Sequence, residues 1–147
     1  MITIQTTKNF NAIDFDQEKL NKAVKAVCSR FNLSHATVDI AIIDDTEIKK
    51  MNKRFLNRSE TTDCLSFDLS EENDETIFEL IVNGQMAVRQ AALRGHSPQA
   101  ELALYIVHSM LHNLGFDDSD DIQAKKMHRL EDEILTHTGF GPIYYPN

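Results

Sequence analysis

The stretch 97-SPQAELALYIVHSMLHNLGFDDSDD-121 decides the fold. Ser97 and Pro98 read as the N-cap and first position of a helix. A serine oxygen satisfies a free N–H there, and proline lacks the N–H that would go unbonded. The spacing predicts a helix over about 98–113. Its middle, 102-LALYIVHSMLH-112, is apolar nearly all round, so it belongs against a sheet and out of water. Gly115 supplies the residue type that ends a helix in a left-handed turn.

His108 and His112 are one helical turn apart, which puts two imidazoles on one face about 6 Å apart along the axis. In a helix this apolar, two imidazoles need partners to offset their desolvation. Neighbouring polar groups in a core are one kind of partner, and a divalent ion is another. Asp117 and Asp118 follow Gly115 at once, so a carboxylate can fold back toward the rings. Two His and one carboxylate suit a divalent metal with an open position for water. Asp118 and Asp117 compete for the ligand role, and the second can orient a ligand from behind. The residue after His108 is Ser109, where a peptide-cleaving H-E-x-x-H helix would carry its general base, so that chemistry is not expected.

Outward from this helix, the chain alternates strand and helix patterns. Residues 1–6, 37–44, 64–69 and 76–82 have the β-branched, period-two character of strands. Asp16 can cap a helix carrying Leu20, Ala23, Val24, Val27, Cys28 and Phe31. Asp44 or Asp45 can cap a short helix carrying Ile48, Met51 and Asn52. The segment 55-FLNRSETTD-63 reads as a polar loop, and 71–75 as a solvated acidic turn. Residues 84–94 form a helix with Met86, Val88, Ala91 and Leu93 as its apolar members, ended by Gly95. A final helix starts at Asp120 and carries Ile122, Met127, Leu130, Ile134 and Leu135; the tail 143–147 docks by its aromatics or frays. The expected order is β-α-β-α-β-β-α-α-α. That is a single α+β or α/β domain over 1–147, with about four strands in a mixed sheet and four to five packed helices. Strand order does not follow from the pattern.

The composition suits one folded domain: 147 residues, 41% hydrophobic and 26% charged. No apolar run is long enough to cross a bilayer, and the first residues lack the pattern of a secretion signal. Two cysteines, Cys28 and Cys64, are too few for a disulfide framework, so a reducing, cytoplasmic setting is expected. The net charge of -8 argues against a bulk electrostatic grip on nucleic acid. A local basic cluster remains: Lys49, Lys50, Lys53, Arg54 and Arg58, with Arg89 and Arg94 as further candidates. His96 is expected on a loop surface and His128 on a helix face.

HSMLHNLGFDD at 108–118 resembles the H-G-x-L-H-L-x-G-Y-D-H signature of the YbeY family, bacterial metal-dependent endoribonucleases of ribosomal RNA maturation. The segment 61-TTDCLSFDL-69 resembles that family's P-T-D-V-L-S-F-P run. Residues 92–112, Glu101 among them, resemble the approach to its histidines, and 125-KKMHRLEDEIL-135 its final helix. The similarity spans about residues 36–135. It implies a single α/β domain and a cleft with one zinc-type ion held by three His. The third family His corresponds to Asp118, giving a His108–His112–Asp118 set. The family's functional Arg corresponds to Leu56, so Arg54 or Arg58 is left to hold a phosphate. Thr62, Asp63 and Ser66 fall in a cleft-lining segment, with Asp63 placed to manage protons.

The expected activity is a single-strand-directed endoribonuclease, dependent on Zn2+ or another divalent transition metal, that acts in 16S ribosomal RNA 3′-end processing and ribosome quality control. Its partners are ribosomal RNA, ribosomal particles and assembly proteins, with no membrane. The other readings are a metallohydrolase of a different substrate class and a ribosome-associated assembly factor with little or no catalysis. The basic cluster is expected to line one rim of the site, with the acidic final helix facing away.

Overall fold

A computed structural model describes residues 1–71 and 75–145. Its elements are β1 (Ile2–Lys8), α1 (Gln17–Arg30), β2 (Ala36–Ile43), α2 (Asp45–Leu56), β3 (Cys64–Asp68), β4 (Thr76–Asn83), α3 (Gly84–Arg94), α4 (Pro98–Asn113) and α5 (Asp121–His137). The order is the one the pattern predicts. The acidic turn expected at 71–75 falls mostly on 72–74, and the last two tail positions on 146–147, all outside the described residues.

The strands lie in the order β1-β2-β4-β3. β1, β2 and β4 are parallel, and β3 pairs antiparallel with β4 at the edge. Side-chain alternation sorts the sheet into two faces. On one, Val38, Ile40 and Ile42 of β2 stand in register with Phe78, Leu80 and Val82 of β4. They pack with Leu20, Val24 and Val27 of α1 and with α4 and α5 in the main core. On the other face, Ile43, Leu65 and Ile81 pack on Ile48 of α2 in a smaller cluster. Beyond α2 that face carries Gln5, Asp39 and Glu79 in register, a polar surface.

Helix α4 is buried from Ala100 to Leu111 without a break. Leu102, Leu104, Ile106, Met110 and Leu111 are nearly inaccessible, each contributing about 1.5–3 kcal/mol by leaving water. The expected caps form. Ser97 accepts from Ala100 N–H, Asp16 from Glu18 and Lys19 N–H, and Asp120 from Gln123 N–H. Gly84 lets β4 turn directly into α3, because a Cβ there would meet Ile42 at 2.8 Å and Phe10 at 2.9 Å.

Three local expectations are corrected. Helix α2 runs to Leu56, so Phe55 and Leu56 are helical and half exposed rather than in a loop, and Asn57 ends the helix at φ 54°. Leu93 and Ile122 are exposed at 76% and 73%, not apolar-face residues. On α3 the buried positions are Gly84, Ala87 and Ala91, since small side chains allow close packing on α4 and β2.

Candidate metal centre

His108 and His112 project from the buried part of α4 toward the bend that follows it. Gly115, at φ 98°, turns the chain back after the helix. That turn brings the carboxylate of Asp118 to 3.5 Å from His108 Nε2 and 3.7 Å from His112 Nε2. The two Nε2 atoms are 3.0 Å apart. Two ligand atoms of a tetrahedral zinc, each at about 2.0–2.1 Å, lie roughly 3.3 Å apart, so the triangle has the right size. Asp117 points elsewhere: its two oxygens accept from Ser119 N–H at 3.1 Å and Ser119 Oγ–H at 2.7 Å. Those bonds hold its carboxyl below the usual range.

The donor chemistry is decided by the other ring nitrogens. His108 Nδ1 lies 2.6 Å from Glu131 Oε2, and His112 Nδ1 lies 3.1 Å from the Phe116 carbonyl oxygen. Both acceptors can only accept, so both Nδ1 atoms carry the proton. In the neutral rings both Nε2 atoms are then bare lone pairs facing each other, with a carboxylate beside them. Such a set is repulsive unless a proton or a metal cation lies between the two nitrogens. For His108, burial lowers the imidazole pKa, but the Glu131 bond and charge, followed by Asp63 and Asp118, outweigh it and hold the ring above its ordinary value. The site is partly open to solvent. The His108 side chain is 11% exposed, His112 32% and Asp118 40%.

Asp63 sits just before β3, fixed by buried Asn83. Asn83 N–H donates to the Asp63 carbonyl at 2.8 Å, and its side-chain amide donates to the Thr62 carbonyl at 3.1 Å and to Asp45 at 2.7 Å. Asp63 Oδ1 accepts from Cys64 N–H at 2.8 Å and Thr62 Oγ–H at 3.2 Å, the local turn that Thr62 and Asp63 were able to form. Ser66 lies on β3, half-buried and paired with Leu80. A second buried amide, Asn52, ties the approach to this loop, donating to the Glu60 carbonyl at 2.9 Å.

Arg54 and Arg58 are exposed, and among the described residues no hydrogen bond or ion pair joins either to the triangle. The Arg54 guanidinium lies over the Phe55 ring at 5.3 Å, and Phe55 stands edge-on to Phe67 at 5.6 Å. The Phe67 carbonyl accepts from the side chain of Asn113, the residue after His112, at 3.2 Å. Arg89 and Arg94 do not extend the basic rim. Arg89 chelates Asp45 at 3.0 and 3.3 Å, and Arg94 pairs with Glu101 at 3.2 Å. Their charges are committed to carboxylates.

Glu131 and Glu101 are fully buried acids. Glu131 belongs to the inward stripe of α5 with Met127, Ile134 and Leu135, and an acid on an apolar stripe was its available signal. The final helix therefore does not turn all its acids outward: Glu131 and Asp132 face in. His96 is also corrected, since it is half-buried and bonded to Glu101 rather than free on a loop. His128 turns inward to Glu131 at 2.9 Å.

The family model described as Endoribonuclease YbeY matches residues 2–139, wider than the 36–135 span of the motifs. An Endoribonuclease YbeY of Carboxydothermus hydrogenoformans is 32% identical over 130 residues, 86% of this chain and 91% of its own. Another, from Nitratiruptor sp., is 30% identical over 86% of this chain and 84% of its own. The solution structure of a Thermotoga maritima protein superposes with a TM-score of 0.57, covering 93% of this chain and 91% of its own at 21% identity, a likeness of fold.

Proposed function

The chain belongs to the YbeY endoribonuclease family, and on that premise we propose that it hydrolyses single-stranded ribosomal RNA, in maturation of the 3′ end of the small-subunit RNA, with one divalent ion held by His108, His112 and Asp118. One observation carries this reading. Both Nδ1 atoms are engaged as donors, while both Nε2 atoms and an Asp118 oxygen converge within 3.7 Å of one another. Zinc suits a nitrogen and oxygen set of three that leaves a fourth position open.

A divalent ion so held supplies Lewis acidity toward a phosphodiester oxygen and toward water. The rest falls to the chain. Glu131 and the Phe116 carbonyl keep the two rings aimed inward. Asp63, whose Oδ1 is engaged by the backbone, has Oδ2 to take a proton from the attacking water. Arg54 or Arg58 holds the phosphate in the place of the family Arg, which is Leu56 here. Lys49, Lys50 and Lys53 extend that rim, and the exposed Phe55 ring beside Arg54 offers a stacking face to an unpaired base. Ribosomal particles and their assembly proteins are the expected setting, in the cytoplasm. Among the described residues no helix is long and apolar enough to cross a membrane.

Elemental analysis of the purified chain beside His108→Ala, with cleavage of a precursor ribosomal RNA by both, tests the reading. About one zinc per chain and cleavage, both lost in the variant, support it. Full metal occupancy and unchanged cleavage in the variant reject it.

A further inference from the structure

The tail after α5 folds back onto the helix that carries Glu131. Asp132 is buried, and its carboxylate takes three successive tail N–H groups: Ile143 at 2.7 Å and Tyr144 at 3.0 Å on Oδ1, and Tyr145 at 2.7 Å on Oδ2. Gly139 and Gly141, at φ 92° and 82°, make the reversal that brings those groups to it. The clamp lays the Tyr144 ring on His128, with centroids 3.6 Å apart and planes 21° from parallel. Tyr144 also meets the Arg94 guanidinium, 5.5 Å from its ring centroid and itself paired with buried Glu101. His128 Nδ1 donates to Glu131 Oε1 at 2.9 Å, while Glu131 Oε2 accepts from His108 Nδ1 at 2.6 Å. Each oxygen of one buried carboxylate thus serves one imidazole.

We propose that Tyr144 and His128 are positioning residues for the metal centre, and that the tail clamped by Asp132 is a strap fixing Glu131 and through it the aim of His108. The inference rests on the His108–His112–Asp118 reading. The physical case is one of restricted freedom. The terminal torsion of a Glu is broad, so one hydrogen bond alone leaves the plane of the Glu131 carboxylate free to swing. A His128 pinned by the Tyr144 stack holds one oxygen and so aims the other. Contacts that orient a metal ligand from behind affect affinity by about 10–100-fold. The family match ends at residue 139, so Ile143, Tyr144 and Tyr145 lie beyond it. The strap is read from this chain's own geometry.

The test uses the full chain and zinc, titrated against a chromophoric chelator, with the visible spectrum of the cobalt-loaded protein as a second readout. Tyr144→Leu and Asp132→Asn are each expected to weaken zinc binding about tenfold and to shift the cobalt bands. Tyr144→Phe, which keeps the ring, is expected to match wild type in both. Thermal unfolding of the metal-free proteins identifies variants that have lost the fold. If Tyr144→Leu is among them, Asp132→Asn and His128→Gln are compared instead. Wild-type affinity and spectrum in the folded tail variants overturn the strap alone, as does a loss in Tyr144→Phe equal to that in Tyr144→Leu. No zinc or cobalt bound by the wild-type chain overturns the metal reading and the strap with it.

Discussion

His108 and Glu131 are joined at 2.6 Å, from a ring that is almost buried to a carboxylate that is wholly buried. The bond fixes the proton on Nδ1 and exposes Nε2 to the site. Each ring bonds a different oxygen of Glu131, and glutamine puts an NH2 in place of one of them, so in this geometry it accepts from only one ring. Glu131→Gln is therefore expected to lower zinc affinity about 10–100-fold. Chelator competition measures it, and an unchanged constant would remove Glu131 from the account of the site.

Asp118 and Asp117 are neighbours with different partners: one faces the two imidazoles and the other Ser119. Asp118→Ala is expected to weaken metal binding and cleavage together, and Asp118→His to restore them with a family-like set of three His. Asp117→Ala is expected to spare both, since its oxygens serve Ser119. Isothermal titration with zinc on the three variants distinguishes the roles. The larger loss in Asp117→Ala would reverse the assignment.

The rim carries its own expectation. Charge reversal at Lys53, Arg54 or Arg58 is expected to weaken binding of single-stranded RNA, by less as salt rises. Phe55→Ala is expected to cost about 1–3 kcal/mol of binding with little change in salt slope, because stacking is not an ionic contact. Fluorescence anisotropy at several salt concentrations reads both. Equal affinity and slope in all four proteins would place the RNA elsewhere.

Asp45 anchors the far end of the loop before β3. Its bonds to Arg89, with smaller contributions from Asn83 and Thr61, hold its carboxyl below the ordinary value despite partial burial. A depressed folded pKa contributes stability above the unfolded value, and that stability is lost as pH falls through the folded value. Asp45→Asn is expected to be less stable than wild type at neutral pH by on the order of 1 kcal/mol, discounted because the Arg89 side chain is 45% exposed. The difference is expected to persist down to about pH 4 and to shrink below it. Urea unfolding at several pH values measures it; a gap independent of pH contradicts the pairing.

Element order, most caps and the pairing of His108 with His112 were legible because each depends on neighbours a few residues apart. Ser97 and Asp120 bond N–H groups three residues on, Gly115 turns left-handed whatever lies around it, and a helical turn sets the two His on one face. The apolar run 102–111 announced a buried helix for the same local reason. Leu93 and Ile122 misled because an apolar side chain carries no sign of which way its helix faces, and packing on α3 favoured alanine.

What lies far apart in the chain was settled only by tertiary structure. The sheet order depends on which strands bury the larger face, and that is a property of the whole core. That the Asp118 carboxylate lies beside the two rings while that of Asp117 turns to Ser119 follows from one residue of rotation in the bend after Gly115. Arg89 and Arg94 looked like free cations until Asp45 and Glu101 were placed beside them. Glu131 joins His108 across 23 positions, and Asp132 holds the tail from inside α5. A sequence shows that an acid sits on an apolar stripe; only folding brings it the partner that makes its burial tolerable.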